Sequence, residues 1–322
     1  MKIVKILGVV LAVLLLAGFG FYGWAASAAS RKLSRTLATH SVDFPIPFPL
    51  SAAELQRDRL APEAAAQLAQ RRALERGRHL VESRYACTAC HGSNFGGGVM
   101  VDDPAIGHLL APNITSGRGS RTSSYRAADW DHIVRHGVKP DGSPALMPSQ
   151  DFREMSDQEL SDIIVFVRSQ PPVVHRVPAS ALGPLGKVLV ATGKLVLSAD
   201  VIGSRGTPHP VAPPATAPTA DFGVHLAATC KGCHGADLAG GPIVGGAPAW
   251  PPAANLTPRP GGIGGWTLAQ FAATLRTGTR PDRTRLRVPM SEVVSSTRNM
   301  TDVEMEALWH YLQSLPVVDR PS

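Results

Sequence analysis

The chain holds four cysteines, and they stand in two pairs, Cys87-Thr88-Ala89-Cys90-His91 and Cys230-Lys231-Gly232-Cys233-His234. Two thiols at this spacing reach the two vinyl groups of a single haem as thioethers, and the next residue sets an imidazole on the iron. That chemistry needs the three side chains contiguous, because one helical turn has to present them all. A redox dithiol, a zinc half-site and a structural disulfide are the competing readings. The first normally comes with a strand-helix-strand context that is absent here, and a shared zinc site would draw its ligands from two distant stretches. We therefore read Cys87, Cys90, Cys230 and Cys233 as attachment points for two covalently bound c-type haems, with His91 and His234 as iron ligands.

A six-coordinate iron needs a second ligand at one fixed offset from each motif. Met147 lies 56 residues after His91, and Met290 lies 56 residues after His234. Each adjoins a proline, in Met147-Pro148 and Pro289-Met290, and each precedes a final helical stretch. A stiff loop there can bring a thioether to the face opposite the histidine. Met155 and Met300 compete, but both fit better as residues entering the last helix, and core filling is the bland alternative for any methionine. Histidine-methionine ligation raises the potential and leaves no open coordination position, which suits electron transfer.

The elements that must position these groups occur twice. Gly77-Arg78-His79-Leu80 precedes the first motif and Gly223-Val224-His225-Leu226 the second, with the second copy three residues shorter between leucine and cysteine. Pro112-Asn113-Ile114-Thr115 matches Ala254-Asn255-Leu256-Thr257, and Trp130 matches Phe271 in a helix expected near the haem edge. Ser156 with Glu159, and Thr301 with Glu304, each spell the start of a final helix by a capping box. Gly77 and Gly223 are expected to let the first helix of each unit cross the last one closely, against Phe166 and Tyr311. His79 and His225, matched in the leading helices, read as structural residues or as contacts to a haem propionate.

At Cys87–Gly92, Cys230–Gly235, Met147 and Met290 the sequence resembles class I cytochromes c in tandem, over residues 70–172 and 218–318. It is similar to membrane-anchored di-haem and tri-haem cytochrome c subunits that accept electrons from periplasmic dehydrogenases. The resemblance implies an all-α fold, two tandem class I cytochrome c domains following an N-terminal transmembrane helix or signal. It also implies a loop carbonyl that orients each iron-bound histidine through its other ring nitrogen.

The expected organisation is a membrane anchor or signal sequence over 1–30, a stalk over 31–61, a first cytochrome c domain over 62–172, a connector over 173–217 and a second domain over 218–322. Lys2 and Lys5 precede an apolar stretch from Ile6 to Trp24, long enough for a bilayer; Ala26-Ser27-Ala28 would serve a signal peptidase, but a retained anchor fits the length better. The Pro-rich run Ser41–Leu50 suits an extended stalk. Val188–Leu197 reads as a short helix packing across the two domains, and Thr207–Ala220, with five prolines, as a flexible or polyproline linker.

The net charge of +7, before the haem propionates are counted, biases docking toward acidic partners or lipid, and no basic run with interleaved aromatics supports nucleic-acid binding. Arg280, Arg283, Arg285 and Arg287, just ahead of Met290, could meet an acidic partner by the second haem. The expected function is an electron carrier, not an enzyme, relaying between a dehydrogenase or quinol-oxidising donor and an oxidase or cytochrome acceptor. Its domains would lie on the periplasmic side of the cytoplasmic membrane. A di-haem cytochrome c peroxidase is the alternative, since its size and motif separation are comparable.

Overall fold

The computed structural model describes residues 2–40, 42–202, 209–243, 246–247 and 249–319. Thr207 and Pro208 of the expected linker lie outside them. The first helix, α1 (Lys2–Ser34), is continuous over 33 residues, about 50 Å at 1.5 Å per residue. Its most apolar window has a mean hydropathy of 2.6 and is fully exposed, so by length and composition it can cross a bilayer. Only Ala25 and Ala29 of this helix are buried. Near its end Lys32 donates to the carbonyl of Val190 at 3.0 Å.

Ser41 lies outside the described residues; for residues 42–50 the stalk expectation needs correcting. Phe44 is buried in the first domain's core, with Val42, Ile46 and Phe48 packed against the same cluster. The Pro45 carbonyl accepts from Ser161 at 2.8 Å. Prolines keep the segment extended, but its aromatic side chains gain more from burial than from standing in water. A short helix, α2 (Ala52–Asp58), follows with a complete Ser51/Glu54 capping box.

The first domain opens with α3 (Pro62–His79), continues through a π-helical turn over Leu80–Arg84, and reaches α4 (Cys87–His91). Strands β1 (Gly98–Asp103) and β2 (Gly107–Ala111) then form an antiparallel hairpin, a small sheet within the otherwise helical fold. Helices α5 (Ala127–His136) and α6 (Asp157–Arg168) complete the unit, and α6 starts at the expected Ser156/Glu159 capping box. Helix α3 crosses α6 at Gly77, where an added Cβ would lie 2.1 Å from the Asp162 carbonyl oxygen and 2.8 Å from Phe166 Cβ. No other residue permits that approach.

In the connector, β3 (Ala181–Leu182) adds to β2, and α7 (Pro184–Ala191) and α8 (Ser198–Val201) follow. Helix α7 does not bridge the domains as expected. It packs on α1 and on the sheet, where Gly186 and Val190 are its buried residues and Ala25 and Ala29 those of α1.

The second domain repeats the frame with α9 (Ala220–Ala227), a 3₁₀ turn over Ala228–Cys230, α10 (Lys231–His234), α11 (Leu268–Thr277), α12 (Met290–Thr297) and α13 (Asp302–Ser314). Gly223 repeats the crossing: an added Cβ would meet the Ala307 carbonyl oxygen at 2.1 Å and Tyr311 Cβ at 2.6 Å. The three-residue difference between the copies falls in the turn before the cysteines, π-helical in one and 3₁₀ in the other. Each domain has its own apolar core.

Candidate functional site

Helix α4 is flanked by Ala86, held left-handed at φ 45°, and by Gly92, φ 78°, so Cys87, Cys90 and His91 share a single tight turn. The turn is clamped from behind: His91 Nδ1 donates to the Pro112 carbonyl at 2.8 Å. Pro112 heads the matched tetrapeptide, and the next residue explains why that stretch repeats. Asn113 Oδ1 accepts from the Thr115 amide and hydroxyl, at 3.0 and 2.8 Å, while its Nδ2 donates to the carbonyls of Val173 and His175. In the second domain His234 Nδ1 donates to the Ala254 carbonyl at 2.7 Å, and Asn255 Oδ1 accepts from Thr257 in the same way. With Nδ1 committed, each imidazole has only Nε2 left for a metal. Burial lowers the pKa of both rings, which favours the neutral form an iron requires.

In the first domain these groups open onto a cavity of about 450 Å³. Cys87, Cys90 and His91 line it together with Met147, and Trp130 forms part of the apolar wall. Met155 also lines the cavity and is buried in the core. Met100 of β1, which sequence reading did not weigh, lines it too, so the structure brings three methionines to the site. In the second domain Cys230 and Met290 pack against one apolar cluster, and His234 is buried. Met290 is the first residue of α12, which accounts for its proline standing before it and not after. Met300 is buried in the same cluster.

The four cysteines form no disulfide. Burial pushes the Cys87 thiol up to about 12 and the Cys230 thiol up to about 11, the opposite of a nucleophilic dithiol, whose thiolate is stabilised. Two contiguous thiols, an imidazole held by its far nitrogen and a thioether on a large apolar cavity fit a covalently bound haem.

The approaches to the two motifs meet each other. His79 Nε2 lies 2.8 Å from Glu304 Oε1, and His225 Nε2 lies 2.8 Å from Glu159 Oε1. Both glutamates are the capping-box residues of the final helices, so each domain offers its leading-helix histidine to the other's cap. Arg84 joins the contact, donating to Glu159 at 2.7 Å and to the His225 carbonyl. The Asp151 carboxylate sits against the backbone of Gly232, between the second pair of cysteines. Residue pairing of this kind is invisible to sequence reading; the shared glycine-histidine spelling was its only trace.

The fold and the site define a tandem haem protein of the cytochrome c class. A family model described as cytochrome c oxidase, cbb3-type, subunit III matches residues 72–167, and one described as cytochrome c matches residues 222–316. The chain thus belongs among the cytochromes c, as a di-haem member with two domains in tandem and two covalently bound c-type haems. It is 31% identical over 260 residues to an alcohol dehydrogenase (quinone), cytochrome c subunit, of Gluconacetobacter polyoxogenes, covering 72% of this chain and 53% of that one. The subunit of the same name from Gluconobacter oxydans is 27% identical over 284 residues, covering 79% and 57%. A diheme cytochrome c-type protein of Cereibacter sphaeroides is 24% identical over 261 residues, covering 72% and 83%. The chain spans little more than half the length of the alcohol dehydrogenase subunits it matches.

Proposed function

We propose that this chain is an electron-transfer subunit that takes electrons from a dehydrogenase and passes them through its two haems to a further redox protein. The haem iron supplies the one-electron couple. Cys87 and Cys90 would hold one haem and Cys230 and Cys233 the other; His91 with Met147, and His234 with Met290, would ligate the two irons. Pro112 and Ala254 orient the imidazoles, and the largely apolar lining of the first cavity would shield its haem from water.

The observation that carries the relay is the packing of the two motif approaches on each other. Residues 79–84 contact His225 and Glu304, and Asp151, four residues beyond Met147, touches the second motif at Gly232. These contacts bring the approaches to the two motifs together, the arrangement a relay between the sites needs. Arg283, Arg285 and Arg287 are exposed beside Met290 and offer an acidic partner a place to dock at the second site.

We place the chain at the cytoplasmic membrane, its domains on the outer side. Cleavage at Ala26–Ala28 would cut α1 within the stretch that packs on α7, so a retained anchor preserves buried contacts that a signal peptide would lose. No observation favours the peroxidase alternative.

Membranes holding the chain, given an alcohol and no acceptor, test the reading. The reduced haem c bands should develop fully in the wild type and to about half in a Cys230→Ala/Cys233→Ala variant. Failure of any dehydrogenase substrate to reduce either haem would sink it.

A further inference from the structure

Outside the lining of the first domain's cavity, four side chains from three separate stretches converge. They are His40, just after the membrane helix; Asp131 and His136, on α5; and His209, on the strand-like run entering the second domain. Asp131 and His136 are fully buried, and the side chains of His40 and His209 are only 14% and 7% exposed. Asp131 Oδ2 lies 3.7 Å from His40 Nε2 and 3.6 Å from His136 Nε2, while Oδ1 lies 3.8 Å from His209 Nε2. His136 Nε2 and His209 Nε2 face each other at 3.0 Å. All four donor atoms fall within 4.8 Å of one another.

A tetrahedral zinc ion with bonds of about 2.0–2.1 Å sets its ligand atoms about 3.3 Å apart. The observed separations bracket that value. Asp131 Oδ2 has no hydrogen-bond partner among the described residues, a costly state for a fully buried carboxylate oxygen. Its other oxygen accepts from Arg135 at 2.7 Å, which orients the group as carboxylates bound to metals commonly are.

The backbone brings the outlying ligands in deliberately. Leu37 N donates to the Gly142 carbonyl, and His132 Nε2 pairs with the His40 carbonyl at 2.7 Å. On the other side the Asp157 and Gln158 amides donate to the carbonyls of Pro210 and Val211.

We propose that His40, Asp131, His136 and His209 bind one divalent transition-metal ion, zinc by preference. Three imidazoles and a carboxylate suit zinc, and the closed, buried set leaves no position for a substrate. The ion is structural and redox-inert. It ties the end of the membrane segment and the entry to the second domain onto α5 of the first.

The test is metal content of the untagged, fully haem-loaded chain, stripped with a chelator and re-equilibrated with Zn²⁺. One zinc per two irons is expected, with a zinc-edge absorption spectrum reporting three nitrogens and one oxygen from imidazole and carboxylate. His209→Gln should retain both haem spectra yet hold no zinc, and chelator should lower the melting temperature of the wild type but not of this variant. Equal zinc in wild type and variant, a sulfur-ligated zinc, or no zinc in the wild type would each overturn the proposal.

Discussion

His79 and Glu304, one from each domain, meet at 2.8 Å, and the pair His225 and Glu159 repeats the contact with the roles of the domains exchanged. A tandem duplication has thus become a two-fold clasp. The same carboxylates accept from the amides and hydroxyls of Ser156 and Thr301 at the start of their own helices, so each final helix's cap and the domain interface depend on the same groups.

The clasp should be pH-dependent. The hydrogen bond to Glu304 holds His79 above its ordinary 6.5, against its burial. Burial would raise Glu304, but His79 and the Thr301 amide keep it below its ordinary 4.5. A raised histidine stabilises fully below 6.5 and loses that contribution as pH climbs through its folded value. A lowered carboxylate stabilises fully above 4.5 and loses it as pH falls through its folded value. The pair is therefore strongest between 4.5 and 6.5. Inside that window His79→Gln should lower the melting temperature by roughly 2–4 °C, and at mildly alkaline pH the difference should shrink; equal deficits throughout would refute the pairing.

Arg84 and Glu159 are a buried ion pair, 5% and 4% exposed. Burial alone would raise the Glu159 carboxyl, yet His225 and Arg84 hold it at about 2. Arg84→Ala should destabilise by about 3 kcal/mol, because it strands a buried charge. The double variant Arg84→Ala/Glu159→Gln should be less unstable than the sum of the two single changes. Additive denaturation midpoints would argue against the coupling.

Three methionines, Met100, Met147 and Met155, line the first cavity, and spectra separate them. Met147→Leu should abolish one far-red sulfur-to-iron band, while Met155→Leu should keep it and lose only packing. Met147→His should lower that haem's potential by on the order of 0.1 V or more, within the roughly 0.8 V that axial ligands span. Met290→Leu should remove the remaining band. If the Met155 variant loses the band instead, the ligand assignment passes to Met155.

Gly77→Ala and Gly223→Ala should each destabilise their domain by about 1–3 kcal/mol or more. The added methyl meets a backbone oxygen at 2.1 Å in both places, and a carbonyl committed to a helix has little room to retreat. Urea midpoints measure the effect, and a neutral result at either glycine would mean that the helices separate freely.

The haem motifs, the repeat, the capping boxes and the two crossing glycines were legible in the sequence because each is local. Thioether and imidazole chemistry demands neighbours within a single turn, a capping box spans four residues, and a glycine at a crossing is marked by its matched position in each copy. What came only from tertiary structure joins residues far apart. The Pro112 carbonyl reaches His91 across a hairpin, and α7 packs on α1 and the sheet rather than across the domain boundary. Apolar burial drew residues 42–48 onto the core although their prolines spelled a stalk. The choice between Met147 and Met155, the exchange of His79 and His225, and the gathering of His40, Asp131, His136 and His209 all depend on how separately folded segments dock. Docking is decided by the summed burial of whole surfaces, and no short stretch of sequence carries that sum.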